Sequence, residues 1–344
     1  MCGAHAQVMS AAELSVGLRM AKGTQTSVRS ALWTDHTLVK TFGPRGTVHL
    51  LPAVDLPLWT RTLAAAPRTA PVLLTPEQLD DVVAAIGAAL NHADLTVEEL
   101  GVVVTANTGS WAADEVMPAF GGMWPRWRSA VQVAAHRGVL CFGPNRGRKV
   151  TYTNPSRLLP HLGFDLTPGT PDFLIRQYLH SYGPATPAHF AQWLAAPQEW
   201  AANVFAAVAD QLRPVDINGV TYWLNADDTT PALPPPQGVR LLPYFDAYVV
   251  GCHPRGTLFP GLAAQRALSG GQAGNFPVLL VNGTVAGVWH HRRAGRKVHL
   301  TVEPFGTLSA KQHEELGAQV ERVGEVLEAT PILTIGPVTI GRHA

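Results

Sequence analysis

Residues 125–154 read PRWRSAVQVAAHRGVLCFGPNRGRKVTYTN, and this stretch decides the fold. Trp127, Ala130, Val131 and Ala134 recur at helical spacing, so Pro125 to Arg137 reads as a helix that Gly138 ends. Behind it, alternating residues flank a Gly-Pro-Asn-Arg-Gly turn, with Arg146, Arg148 and Lys149 around the tip. Upstream, Thr75-Pro76-Glu77-Gln78 and Thr96-Val97-Glu98-Glu99 each place a hydroxyl three residues before Gln or Glu, the capping-box signature of a helix start. Helix, turn, helix and then a basic hairpin is the pattern of a winged helix.

The same plan recurs on both sides. Toward the N-terminus, Met9, Leu14, Val16, Leu18 and Met20 mark a packed helix, and Ser27 to Trp33 a second. Strands Leu38 to Phe42 and Thr47 to Leu51 then flank Gly43-Pro44-Arg45-Gly46, and Pro52 to Leu63 returns as helix. Toward the C-terminus, Thr170-Pro171-Asp172 opens a helix through Tyr182, Thr186-Pro187 another through Leu194, and Gln198 to Gln211 a third. Asn218-Gly219 tips the hairpin that follows, the strongest short hairpin signal. A Pro-rich connection, TTPALPPPQG at 229–238, leads to strand candidates Val278 to Val281, Val285 to Trp289 and Lys297 to Val302, a small barrel or curled sheet. Ser309 caps a last helix with Leu316, Val320, Val323 and Leu327 on one face, and ILTIGPVTIG closes as strand. The expected fold is therefore α+β: three tandem winged-helix (helix-turn-helix) motifs at 1–70, 71–165 and 166–235. A small C-terminal β-barrel domain with its terminal helix follows at 236–344.

Composition bounds the function. At 344 residues, 46% apolar and 15% charged, the chain is globular and large enough for several modules. It has no long uncharged apolar span and no signal-peptide pattern, so a soluble cytoplasmic monomer without membrane contact is expected. Cys2, Cys141 and Cys252 are too scattered for a disulfide framework. Cys2 with His5 offers half of a zinc site, and no second half at ligand spacing exists. The net charge of +1 hides a segregation. Val116 to Phe164 and Ala247 to Val302 contain no acid, whereas Glu77 to Glu115 holds eight acids and no Lys or Arg. Separate positive and negative faces are expected, and a positive face suits a polyanion.

His5 and Gln7, separated by Ala6, stand just before the first helix. In an extended segment residues i and i+2 point to the same side. The pair either braces that helix or faces one cleft as a catalytic unit. Glu13, the nearest carboxylate, is expected to face solvent. Trp124 and Trp127 interleave with Arg126 and Arg128, which suits base stacking, although core anchoring of both indoles is the simpler reading.

These features together resemble the winged-helix family of AlkZ/YcaQ-type DNA glycosylases. The matching stretches are GAHAQ (3–7), TFGPRGTVHLLPAVDLPLW (41–59), the middle winged helix, LLPYFDAYVVG (241–251), and FPVLLVNGTVAGVW with LTVEPF (276–289 and 300–305), in that order. The resemblance implies three winged helices in a C-shape with a small barrel, presenting a positive concave surface to double-stranded DNA. It implies excision of N7-alkylated guanines or unhooking of interstrand crosslinks, with no cofactor and no metal. A Gln-x-Gln or Gln-x-Asp pair holds the hydrolytic water in the family; here the matching positions are His5 and Gln7, a variant that resembles self-resistance branches. The family usually carries a further helix before this pair, so the first winged helix is expected to be shortened. By the same resemblance Arg45, Thr47 and His49 form a supporting hairpin, with Thr47 and His49 on one strand face. Arg126, Arg128, Arg146, Arg148 and Lys149 are expected on phosphates. In HHRRAGRKVH (290–299), expected to turn at Ala294-Gly295, Arg292, Arg293, Arg296 and Lys297 would reach a groove. Two other readings remain: a non-catalytic winged-helix DNA-binding regulator, and a metal-dependent hydrolase using some of the fourteen His.

Overall fold

The computed structural model describes residues 1–68, 71–119, 121–164, 169–228 and 234–341. The elements follow local signals closely. A two-residue strand β1 (Ala4–His5) precedes α1 (Met9–Gly17) and α2 (Gln25–Trp33). Strands β2 (Leu38–Phe42) and β3 (Val48–Pro52) pair antiparallel and lead to α3 (Leu56–Ala65). Helix α4 (Pro76–Leu90) and, after β4 (Leu95–Thr96), helix α5 (Val97–Thr108) start at complete capping boxes on Thr75 and Thr96. A hairpin of β5 (Glu115–Ala119) and β6 (Gly122–Pro125) comes next, in a stretch given no element from its sequence. The helix expected from Pro125 to Arg137 is a 3-10 turn over Arg126–Ala130 that runs into α6 (Val131–His136). Strands β7 (Cys141–Arg146) and β8 (Lys149–Thr153) complete this region before the short α7 (Pro155–Leu158). Their tip is Gly147-Arg148 rather than the longer Gly-Pro-Asn-Arg-Gly turn. A register shift between Gly143 and Arg146 absorbs the extra residues, and Gly147 takes the positive φ (65°) that the tight tip requires.

Helices α8 (Asp172–Tyr182), α9 (Pro187–Leu194) and α10 (Gln198–Ala207) precede the hairpin β9 (Leu212–Ile217) and β10 (Val220–Asn225), turned at Asn218-Gly219 as expected. The third helix ends at Ala207, and a separate 3-10 turn covers Ala209–Gln211. Part of the Pro-rich connection, 229–233, lies outside the described residues. Strand β11 (Val239–Leu242) then precedes three short helices, α11 (Ala247–Gly251), α12 (Arg255–Leu258) and α13 (Leu262–Arg266). Strands β12 (Val278–Val281), β13 (Thr284–Ala294) and β14 (Lys297–Pro304), the capped helix α14 (Ala310–Leu327) and β15 (Thr330–Ile335) finish the chain.

The last sheet has the order β11-β12-β13-β14-β15, antiparallel except for the parallel β14–β15 pair. With β11 at one edge and β15 at the other, it is an open, five-stranded sheet, so the curled-sheet reading holds and the closed barrel does not. The closing strand stops at Ile335 rather than running to Gly341. Helix α14 covers one face: Leu316, Val320, Val323 and Val326 pack with Trp289, Val298, Leu300 and Val302, all buried. That core also takes in Leu14 of α1, which ties the N-terminal segment to the sheet.

The chain condenses into two compact units that interleave along the sequence. One comprises Met1–Ser30, Gln177–Trp193 and Val208–Ala344; the other comprises Ala31–Arg176 and Leu194–Ala207. The first holds His5, Gln7, the last sheet and α14. The second holds the β2–β3 and β7–β8 hairpins, with Phe42 and Tyr152 both against Phe142 (ring centroids 5.4 and 5.1 Å).

Candidate active site

The N-terminal segment is fixed from its first residues. Cys2 is buried, and its thiol donates to the Gln177 carbonyl (3.2 Å) and the Ser181 hydroxyl (3.4 Å). The zinc reading loses its first ligand to these bonds. Among the described residues no three His, Cys, Asp or Glu side chains cluster as metal ligands would. From Ala4 the side chains alternate as an extended segment requires. Ala4 and Ala6 are buried (1% and 2% exposed), His5 is half-buried and Gln7 is exposed. His5 and Gln7 therefore share the accessible side.

Two contacts hold His5 and the helix behind it. The His5 ring lies 4.7 Å from that of Phe245, centroid to centroid, inclined by 34°. Phe245 sits at φ +52°, a left-handed conformation that costs a residue with a Cβ and persists only where its surroundings impose it. The next residue, Asp246, supplies that imposition. It is 1% exposed, caps α11 through the Tyr248 N–H (3.0 Å), accepts from the Ser15 hydroxyl (2.6 Å) and grips the Arg19 guanidinium with both oxygens (2.7 and 2.8 Å). Ser15 lies on α1 and Arg19 just beyond it, so the carboxylate pins the Phe245 loop to the helix that follows His5 and Gln7. These residues belong to LLPYFDAYVVG, a stretch that carried the family resemblance without a role for any member. Glu13 corrects an expectation. It is 2% exposed rather than solvated, because Arg29 closes on it (2.7 Å) and Gln25 donates to it.

In the other unit, the expected supporting hairpin departs from its predicted geometry. Arg45 takes φ +61° inside a 3-10 turn, Pro44–Gly46. Thr47 precedes the strand, which starts at Val48, and its hydroxyl donates back to the Pro44 carbonyl (3.1 Å). The Thr47 backbone is extended (φ −90°, ψ 158°), one residue ahead of the strand that carries His49. His49 is 3% exposed, with Nδ1 2.9 Å from the Thr47 carbonyl oxygen. A Cβ on Gly43 would lie 2.8 Å from its ring, so the turn is built around this imidazole.

The basic residues correct the expected charge segregation. Arg126 meets Asp114 (3.1 Å), Arg137 meets Asp80 (2.6 Å), Arg146 meets Glu99 (2.7 Å), Lys149 meets Glu98 (3.5 Å) and Arg157 meets Asp94 (2.5 Å). The acid-rich and acid-free segments are thus adjacent in space, and five of the seven cations face a carboxylate. Arg148 sits exposed at the hairpin tip. Arg128 stacks over the Trp124 ring at 3.6 Å, and its burial lowers the guanidinium pKa from its ordinary value. Of these two indoles Trp127 anchors the core, whereas Trp124 is 38% exposed. In the last sheet the β13–β14 turn is Gly295-Arg296, because Ala294 pairs with Lys297. Arg292, Arg296 and Lys297 are exposed there. Arg293 instead donates to the Leu327 carbonyl (2.8 Å), satisfying the end of α14. His291, stacked on Trp289 (5.5 Å), is pushed down to about 4 by burial and by neighbouring His290.

The comparisons with known proteins agree with this frame. The model of the family described as "DNA glycosylase AlkZ-like" matches residues 1–326. A curated protein of Streptomyces sahachiroi, "Interstrand DNA cross-link repair glycosylase", is 32% identical, with 95% of this chain and 89% of that protein covered. The solved structure "Streptomyces sahachiroi DNA glycosylase AlkZ" superposes with a TM-score of 0.77 at 28% identity, over 97% of this chain and 91% of that one. With a family match over nearly its whole length, the chain belongs to the AlkZ-like DNA glycosylases, hydrolases that act on N-glycosyl bonds.

Proposed function

We propose that this glycosylase, built with three winged helices, hydrolyses the N-glycosidic bond of bulky N7-alkylguanine adducts or interstrand crosslinks, as a monomer acting on duplex DNA in the cytoplasm. The name of the curated relative supports the crosslink substrate. His5 and Gln7 hold the attacking water. The observation that carries this role is their common accessible side, with Ala4 and Ala6 buried behind them.

The chemistry asks little more. An N7-alkylated guanine is cationic and departs as a neutral base, so no strong general acid is required. What remains is to place a water beneath the anomeric carbon while positive charge develops on the sugar. The Gln7 carbonyl orients water without taking its proton. The His5 imidazole orients water and also accepts a proton. Positioning of this kind removes several kcal/mol from a barrier. Arg146, Arg148 and Lys149, with Arg126 and Arg128, meet phosphates. Arg292, Arg296 and Lys297 enter a groove.

Single-turnover excision from a duplex carrying 7-methylguanine, or a bulkier N7-alkylguanine, tests the assignment. Gln7→Ala should lose most excision while DNA affinity stays within a few-fold. His5→Gln should retain part of the rate, because the amide still orients water. His5→Ala should be slower than His5→Gln. Parental rates in both alanine variants would make the pair structural.

A further inference from the structure

The contact between His5 and Phe245 is made at a cost. Phe245 occupies a left-handed backbone conformation (φ +52°), and the structure around it is built to keep it there. Its N–H donates to the Gly274 carbonyl (2.9 Å). Gly274 itself sits at φ +101°, and a Cβ there would lie 3.0 Å from the Phe245 ring and 3.1 Å from its Cα. On the other side Asp246 is locked to Ser15 and Arg19. A strained residue clamped from both sides holds its ring against the imidazole, 4.7 Å away, with the Tyr244 ring a more distant neighbour at 6.4 Å. Backbone strain of this kind gathers where a side chain must be aimed.

We propose that Phe245 is a positioning residue for the reaction: it fixes the plane of the His5 ring, so that the imidazole and Gln7 address one water. The inference rests on the water-holding role of His5 proposed above. The ring does this by contact alone. Aromatic pairs prefer a limited set of offset and tilted arrangements, and a neighbouring ring removes rotational freedom that a lone imidazole would keep. Held in one orientation, the nitrogen that meets water no longer has to find its place in each turnover. Asp246 and Gly274 act one step further out, by holding Phe245.

The test is a double-mutant cycle on single-turnover excision from the 7-methylguanine (or bulkier N7-alkylguanine) duplex, with Phe245→Ala, His5→Ala and the pair together. Phe245→Ala should slow excision about tenfold or more in the parent, with DNA affinity changed less than about threefold. In the His5→Ala background the same substitution should change the rate less than about threefold, since no imidazole remains to be aimed. Phe245→Tyr, which keeps the ring, should restore most of the rate. Should Phe245→Ala not fold, Phe245→Leu replaces it in the cycle, keeping apolar bulk without a planar face. A parental rate in Phe245→Ala overturns the proposal. An equal loss in both backgrounds does so too, because Phe245 would then act independently of His5. If His5→Ala excises at the parental rate, the water-holding role itself fails. If His5→Ala is slow and Phe245→Ala is not, only the positioning role fails.

Discussion

Replacing Glu98 and Glu99 together by Gln should tighten DNA binding and steepen its salt dependence. Arg146 is held by Glu99 at 2.7 Å and Lys149 faces Glu98 at 3.5 Å, with all four side chains about half to two-thirds exposed. If the β7–β8 hairpin meets phosphates, each cation must leave a carboxylate to do so. The freed carboxylate recovers a counterion while the phosphate loses one, so the exchange releases little net salt. With Gln in place the cation starts unpaired, and each phosphate contact contributes its full share, about 0.9 in the slope of log affinity against log salt. Two sites give a slope steeper by up to about 1.8, so the variant's advantage shrinks roughly tenfold between 50 and 200 mM salt. The helix is spared, because Glu99 also accepts from the Thr96 N–H (2.8 Å) and Gln serves that capping-box position equally well. Fluorescence anisotropy with an undamaged duplex over a salt series measures both quantities. Arg148→Ala, which removes the exposed tip cation, should weaken binding in both backgrounds. Unchanged affinity and slope in the Gln variant would mean that this hairpin does not meet phosphate.

Three further outcomes concern stability. Asp246→Ala removes a buried carboxylate from Arg19, Ser15 and the α11 cap and should cost about 3 kcal/mol in urea unfolding, toward the low end for a broken buried pair because the Arg19 side chain is 35% exposed and reaches water. A loss below about 1 kcal/mol would show that this carboxylate is not the anchor described. His136, 8% exposed on α6, is pushed down to about 4 by burial, which a hydrogen bond to the Phe42 backbone only partly offsets. The unfolded imidazole therefore binds its proton first as pH falls. Stability is intact above about pH 6.5 and is lost through the window from there to about 4, by about 2 kcal/mol between pH 7 and 4.5; His136→Gln should remove that part of the decline. Gly17→Ala places a methyl 2.5 Å from Cγ1 of the buried Val326 and should destabilise by about 1 kcal/mol despite better helix propensity; a raised melting temperature would refute that packing.

What the sequence made legible was local. The capping boxes at Thr75, Thr96 and Ser309 each need only four consecutive residues, and all three form with both reciprocal bonds. Asn218-Gly219 is legible for the same reason, since its turn demands positive φ at both positions and both residues supply it. Two further hairpin tips were misplaced, that of β13–β14 by a single residue, because Gly147 and Gly295 set them through register with the opposite strand, which pattern alone does not carry. Strand β13 runs five residues past the expected end at Trp289, since His290 to Ala294 pair with β14 although their side chains are largely exposed. A short apolar run marks where a strand is buried, not where its ladder ends.

The site divides along the same line. His5 and Gln7 could be singled out because an i, i+2 relation lies within three residues, and Ala4 and Ala6 beside them are buried. Two groups that restrain this segment are distant in sequence: Phe245, against His5, and Asp246, against Ser15 of the following helix, each lie more than two hundred residues from their partners. The charges failed as a signal for the complementary reason. A run without acids looks like a positive face only if nothing acidic folds against it, and here Asp80, Asp94, Glu98, Glu99 and Asp114 do. That pairing changes what the basic hairpin is for. Cations already matched to carboxylates add little to long-range attraction, but they stand ready to exchange one oxyanion for another at short range. If these side chains meet DNA as proposed, Arg148, Arg292, Arg296 and Lys297, which are exposed and face no carboxylate among the described residues, would supply the standing attraction to a duplex, and the paired set would supply contacts that form only once a phosphate displaces its carboxylate.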